Sequence, residues 1–333
     1  MQAICVTPER ALTVREIPTP AQPAPGHVLV EMAGSAINHG DKTFLRMPQA
    51  AGNALSAVRH DVWGASGAGV VAAIGAGVPA AYLGRQVAIY RSLGRSPETV
   101  GLWCERAQVP YTNCLILPDT VDARDYCGSL VNVMTAYAFL EEMAEAGHAG
   151  VIATAGNSAT GRALGVLARA RKLPVILVAR TAASAEALRR AGEPHVVTAG
   201  PALADTLGPL AASLNATAVF DGVGGALLSA LAPALAPRST IYAYGFLDRT
   251  EPFSIATALL MMKDLTIRRF SNFESATVRD PARLVRALTA LEGLIDDPAL
   301  RTRLGATFTF DRIDEAMAFE PADGAKAVLV ARG

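Results

Sequence analysis

The segment 154-TAGNSATG-161 has the residue types of a turn that holds an anion. It follows the apolar run VIATA and precedes ATGRALGVLARARK, so it joins a strand to a helix. Unpaired amides at a helix N-terminus, aided by the helix dipole, favour negative charge there. Small residues permit close approach of a ligand, so Gly156, Asn157, Ser158 and Ala159 are read as offering their N–H groups, with Thr160 next to them. Gly161 lets the helix lie near the strand. The pattern is A-x-x-S-x-x-G from Ala155 to Gly161, not G-x-G-x-x-G. An ordinary strand-to-helix turn has the same composition, so spacing alone leaves both readings open. The next apolar strand, VILVA, ends in Arg180, followed by Thr181 and Ser184. A site for NAD usually carries Asp or Glu about 20 residues after its glycines. A guanidinium there instead can fork onto a 2′-phosphate. This favours NADPH over NADH, with a solvated arginine at a strand end as the alternative.

These residues need a frame to hold them. From residue 151 the chain alternates: VIATA, VILVA, HVVTA, AVFDGV, STIYAYG and LTIRRF read as strands, and most of the segments between them as helices. Apolar runs linked by helices of this length imply a parallel sheet covered on both faces, doubly wound by right-handed crossovers. Such sheets bind ligands outside the carboxyl ends of their strands, which is where the 154–161 turn lies. The first 120 residues read differently, as short strands such as AICV, ALTVREI and HVLVEMAGSAI broken by prolines and glycines, suggesting a partly closed β-barrel. A helix is expected over 124–147. The tail carries an amphipathic helix (RLVRALTALEGLI), a strand (ATFTF), a helix (RIDEAMAFE) and a closing strand (KAVLVA). One discontinuous domain built from both chain ends, 1–122 and 272–333, is therefore expected around a nucleotide-binding domain at 123–271.

Composition narrows the function. The 333 residues exceed what a single core usually holds. The chain is 51% hydrophobic and 18% charged, with 30 basic and 30 acidic residues, so charge gives no reason to expect nucleic acid or an acidic membrane. No run reaches the ~18 apolar residues of a membrane helix, and the N-terminus lacks a signal pattern. Cys5, Cys104, Cys114 and Cys127 form no C-x-x-C pair, which fits a reducing compartment and a cytoplasmic protein.

Six short segments, in order, resemble the medium-chain dehydrogenase/reductase superfamily over nearly the whole chain. INHGD (37–41) resembles I-N-P-S-D; GASGAGVVAAIGAGV (64–78) resembles G-x-E-G-x-G-x-V; VNVMTAYAFL (131–140) is similar to an N-P-x-T-A-Y helix start. AGNSATG is similar to the A-S-N-S-G-V-G of mitochondrial-type 2-enoyl thioester reductases. KDLTIRRF (263–270) resembles K-D-L-x-x-x-G-F, and GAKAVLV (324–330) the terminal G-K-x-V-L. The quinone oxidoreductase branch and the enoyl thioester reductases look most similar. The resemblance implies a GroES-like barrel domain, a Rossmann domain and NADPH in a cleft. By position it implies Asn38 and Thr135 near the nicotinamide, Ser158 and Gly161 at the pyrophosphate, and Arg180 at the 2′-phosphate. It places Val223 and Gly224 along the cofactor's bridge, Tyr244 and Gly245 by the nicotinamide, and Lys326 near the cofactor. It also implies a homodimer that pairs LTIRRF edges across a twofold axis.

Zinc-dependent relatives carry ligands where this chain has Asn38 and Ala65, and a four-cysteine loop is missing, so no metal is expected. The glutamate of G-x-E-G is Ser66, and no tyrosine follows INHGD before Ala65. The segment LRMPQAAGNALSAVRHDVW (45–63) also departs from the family pattern. The reading that results is hydride transfer from NADPH to a quinone or an α,β-unsaturated carbonyl, with solvent or Tyr244 as proton source. Its rivals are 2-enoyl thioester reduction and a catalytically silent NADPH-binding protein.

Overall fold

In the computed structural model, which describes residues 1–47, 58–321 and 324–331, the proline- and glycine-broken segments of the first 130 residues become short strands. β1 (Gln2–Val6) and β2 (Leu12–Glu16) form an antiparallel hairpin. The long strand β3 (His27–Ala36) is followed by helix α1 (His39–Arg46). β3 pairs antiparallel with β4 (Ser66–Ile74), and β4 pairs with β5 (Gln86–Tyr90). β6 (Arg106–Pro110) joins the first half of β3, and β7 (Cys114–Ile116) extends the sheet beyond β5. Inward-facing Val28, Val30, Val71, Val87, Ile89 and Val109 share one buried core, the period-two outcome of half-buried antiparallel strands.

Helix α2 (Leu130–Glu145) opens the alternating region. Its strands and helices are β8 (Gly150–Ala153), α3 (Ala159–Ala170), β9 (Val175–Ala179), α4 (Ala182–Arg190) and β10 (Val196–Thr198). They continue with α5 (Leu203–Ser213), β11 (Ala216–Asp221), α6 (Gly225–Leu231), β12 (Thr240–Ala243), α7 (Thr257–Met262), β13 (Thr266–Arg269) and α8 (Ala276–Arg279). All strand pairs are parallel, in the order β10-β9-β8-β11-β12-β13. The five residues of β9 are all buried, as expected for a strand covered on both faces. Strand order reverses between β8 and β11, so the switch point of this doubly wound sheet lies between them.

The tail returns to the first sheet. α9 (Pro281–Glu292) starts at Asp280, whose carboxylate accepts from the Ala282 and Arg283 amides, with proline in the first helical position. β14 (Leu304–Thr309) leads through α10 (Ile313–Ala318) to β15 (Lys326–Val330). β14 and β15 are parallel, and β15 pairs antiparallel with the end of β3, Val328 opposite Ala36. Two compact units result, Met1–Asn132 with Asp280–Gly333, and Val133–Arg279. The expected combination of a doubly wound parallel sheet with a second sheet built from both chain ends is present.

Helix α1 is not among the helices expected from the sequence. It forms because Asn38 caps it and the Asp41 carboxylate accepts from the Asn38 amide, a box closed within one turn. Of the atypical 45–63 segment, residues 48–57 lie outside the described residues. All four cysteines are unpaired and buried. Among the described residues, no helix is long and apolar enough to cross a membrane.

Candidate functional site

In the second unit, the turn after β8 is shaped by close contacts. Ala155 takes a left-handed φ of 52°. The Gly156 amide donates to the Val178 carbonyl (2.9 Å), and the Ser158 amide to the Ala155 carbonyl (2.8 Å). Ser158 is the N-cap of α3, its hydroxyl accepting from the Gly161 amide at 3.1 Å. Three of the amides in this stretch are thus committed, Gly156 to strand β9 and Ser158 and Gly161 within the turn, whereas the sequence reads Gly156 and Ser158 as offering theirs to a ligand. The amide of Ala159 lies ahead of the helix's own ladder. Both glycines are required by proximity: a Cβ on Gly161 would stand 2.4 Å from the Gly156 carbonyl oxygen, and one on Gly156 would stand 2.9 Å from the Leu177 Cβ.

Beside the turn, at the end of β11, lies Asp221, which the sequence reading passed over. It is fully buried. One carboxylate oxygen accepts from the Thr154 hydroxyl (2.6 Å) and the Val223 amide (3.2 Å), the other from the Gly224 amide (2.9 Å). Thr154 in turn accepts from the Gly222 amide at 2.9 Å. Burial pushes the Asp221 carboxyl above the usual range, against the pull of these donors. An acidic residue closing an apolar strand was the available signal. The Tyr244 and Gly245 amides both donate to the Asp221 carbonyl, which ties the end of β12 to the same point. Gly224 has a φ of 72°, and the Asp248 carboxylate accepts from the Ala226 amide in the first turn of α6.

Tyr244 stacks on Phe220 of β11, with ring centroids 4.0 Å apart. Its hydroxyl reaches the Ser158 and Thr160 side chains, and burial raises its pKa. A Cβ on Gly222 would lie 2.5 Å from that hydroxyl, so the ring's path needs glycine there. Tyr244 therefore spans the switch point, from the end of β12 over β11 to the turn after β8. The structure brings together Gly156, Asn157, Ser158, Ala159, Thr160, Gly161, Val223, Gly224, Tyr244 and Gly245 at the carboxyl ends of three strands.

Arg180 stands at the end of neighbouring β9. It is exposed and has no hydrogen bond or ion pair among the described residues. Thr181 caps α4, its hydroxyl accepting from the Ser184 amide at 3.1 Å. Thr135, on α2, accepts from the Asn272 side-chain amide at 2.9 Å.

The remaining two candidates meet in the first unit. Lys326, the first residue of β15, donates from Nζ to Asn38 Oδ1 and to the Gly128 carbonyl, the latter at 3.0 Å. Asp41, 1% exposed, accepts from the Asn38 amide (2.8 Å) and the Ala65 amide (3.0 Å). Burial raises the Asp41 carboxyl, while the charges of Arg91 and Lys326 oppose that rise. Burial brings the Arg91 guanidinium down to about 10. Among the described residues, no group of three or more His, Cys, Asp or Glu side chains is placed to hold a metal ion.

No protein-family model matches the chain, and no curated protein matches it. Solved structures do. An alcohol dehydrogenase superfamily protein from Novosphingobium aromaticivorans is 22% identical, with 98% of each chain covered and a TM-score of 0.77. A protein from Mesorhizobium loti described as a candidate NADPH:quinone reductase is 24% identical, covering 99% of this chain and 96% of its own, with a TM-score of 0.74. A mycobacterial protein solved with NADPH bound is 23% identical, covers 99% of both chains and has a TM-score of 0.71. This chain is similar to each of them in fold over nearly its whole length.

Proposed function

We propose that the protein is an NADPH-dependent, zinc-independent oxidoreductase that passes a hydride to a quinone or an α,β-unsaturated carbonyl. The observation that carries this is Arg180: an exposed, unneutralised guanidinium at the carboxyl end of β9, beside the strand whose end forms the small-residue turn. Similarity of fold to a protein solved with NADPH, and to one described as a candidate NADPH:quinone reductase, supports it.

The residues fit such a cofactor. Gly156 and Gly161 keep the turn free of side chains where backbone atoms already lie within van der Waals contact. The Ala159 amide and the N-terminus of α3 face an anion favourably. Arg180 supplies charge and a planar fork for a 2′-phosphate. Asp221 holds the loops after β8, β11 and β12 in one register. When bound, NADPH supplies the hydride; the protein binds it, orients it and excludes water. A conjugated acceptor moves the incoming charge onto its own oxygen, so the reaction needs no Lewis-acid metal. Tyr244, with its hydroxyl engaged by Ser158 and Thr160, serves the turn in this arrangement and leaves the proton to solvent.

We also propose a homodimer that joins copies through the edge strand β13, which among the described residues pairs with β12 alone. Stopped-flow mixing of the protein with NADPH, then with a quinone or an enone, tests the activity. Acceptor-dependent loss of NADPH absorbance is expected. Tight NADPH binding without acceptor-dependent oxidation overturns it in favour of a silent cofactor-binding protein.

A further inference from the structure

We propose that Lys326 is a positioning residue that fixes the Asn38 carboxamide as a hydrogen-bond donor to the acceptor's carbonyl oxygen. This rests on the oxidoreductase reading above and deepens it. The two residues are 288 positions apart and meet because β15 pairs with the end of β3, where the Ile37 amide also donates to the Ala327 carbonyl at 3.0 Å.

An ammonium group has only donors. The Lys326 contact therefore obliges the amide oxygen of Asn38 to face it, so the Asn38 NH2 group points the other way. That group's contact with the Ala36 carbonyl is 3.4 Å long, beyond the range of a good N–H···O bond. The main chain of Asn38 is held separately by Asp41, which is itself held by the Ala65 amide. Backbone and amide oxygen are thus both fixed, and among the described residues the NH2 group of the half-buried Asn38 is the end of the side chain left to bind a ligand. A cation on the oxygen also polarises the amide and strengthens its N–H donors.

This arrangement matches the chemistry of a conjugated acceptor. The hydride forms a new C–H bond at the β carbon, and the C=C pair shifts toward the carbonyl. The oxygen takes the negative charge, and NADPH is oxidised to NADP+. A solvent proton then reaches the α carbon as the carbonyl re-forms. A donor aimed at that oxygen binds the charged state more strongly than the neutral one, so it lowers the barrier rather than simply tightening binding.

Four variants test this: Asn38→Ala, Lys326→Met, Lys326→Arg, and Asn38→Ala with Lys326→Met. Asn38→Ala is expected to lower kcat on the order of 10²-fold, the scale for losing one oxyanion donor. Lys326→Met is expected to lower it about tenfold with the NADPH Kd unchanged, Lys326→Arg to restore most of the loss, and the double variant to match Asn38→Ala. Additive losses, or a Lys326→Met effect confined to the NADPH Kd, overturn the proposal. A readout independent of turnover uses the cofactor-free protein with 15N-labelled asparagine. The chain has seven asparagines. The Asn38 side-chain signal, identified by its loss in Asn38→Ala, should shift and exchange faster in Lys326→Met and return in Lys326→Arg. An unchanged signal overturns the contact even if the native protein reduces no acceptor, whereas a shifted signal without turnover sinks only the activity.

Discussion

Arg180 is a cation that nothing in its own unit neutralises, and this decides which coenzyme suits it. A charge-assisted hydrogen bond is worth about 1.5–3 kcal/mol, so Arg180→Ala should weaken NADPH binding roughly 10- to 100-fold. NADH lacks the phosphate and should bind the variant and the native protein alike. Fluorescence titration of both coenzymes checks this; an equal loss for each would remove the 2′-phosphate from the account. Asp221 makes a different kind of prediction. Burial raises its pKa in the folded state, so folding takes up protons at this site. Its contribution to stability is complete below the unfolded pKa, about 4, and is lost as pH rises through the raised folded value. Asp221→Asn removes that titration along with one acceptor. The variant should be less stable overall, yet gain on the native protein as pH rises from about 3.5 toward neutrality, as read from urea midpoints along a pH series. A gap that stays constant with pH would mean that Asp221 does not titrate on folding.

At the scale of elements, the turn between β8 and α3 is governed by closeness rather than by the number of glycines. A methyl group on Gly161 meets backbone oxygen atoms of Gly156 at 2.4 Å and Ala155 at 2.7 Å, which cannot rotate away as a side chain can. Overpacking of this kind costs about 1–3 kcal/mol, so Gly161→Ala should lower the urea midpoint and weaken coenzyme binding together. A variant that keeps both would show the helix able to move off the strand. The parallel strands were legible because VILVA and AVFDGV are apolar runs with only one plausible burial, and the turn because its residues are small where a strand meets a helix. Asp221 was not legible. Its role depends on Thr154, Gly222, Val223 and Gly224 meeting at one point, and Thr154, just after β8, is 67 residues away. The same holds for Tyr244, whose reach to Ser158 and Thr160 depends on the order of three strands. Asn38 and Lys326 were each named from short motifs, but their contact follows from the pairing of β15 with β3. Helix α1 was not legible because its eight residues are too few to show an apolar period, and its one signal is the pair formed by Asp41 with the preceding Asn38.

For the whole molecule, the decisive surface is the end of the parallel sheet. Among the described residues β13 pairs with β12 on one side only, and its four residues are all exposed. Ile267 is 45% exposed, and Met261 and Met262 on the preceding helix α7 are 75% and 85% exposed. The opposite edge strand, β10, is shorter, and its Val197 is buried. An open strand edge flanked by apolar side chains invites pairing with another chain, and natural proteins blunt such edges with lysine, proline or a bulge. Thr266, Ile267, Arg268 and Arg269 include no lysine or proline and pair with β12 without a bulge, and their charge is confined to the two arginines. Arg268 is moreover turned to its own unit, paired with Glu142 at 2.9 Å and lying over the Tyr242 ring. A second copy related by a twofold axis would cover edge and methionines at once, and because such a contact uses the same patch on both copies it closes on itself, which is why a dimer is expected rather than a fibre. Sedimentation equilibrium at micromolar concentration should give twice the chain mass of 34.6 kDa. Ile267→Lys, which places a charge at the centre of the edge without touching the buried core, should return the mass to that of one chain while leaving the far-ultraviolet circular dichroism intact. A native protein that sediments as a single chain would mean that the β13 edge is left open to solvent, and the dimer would have to be abandoned.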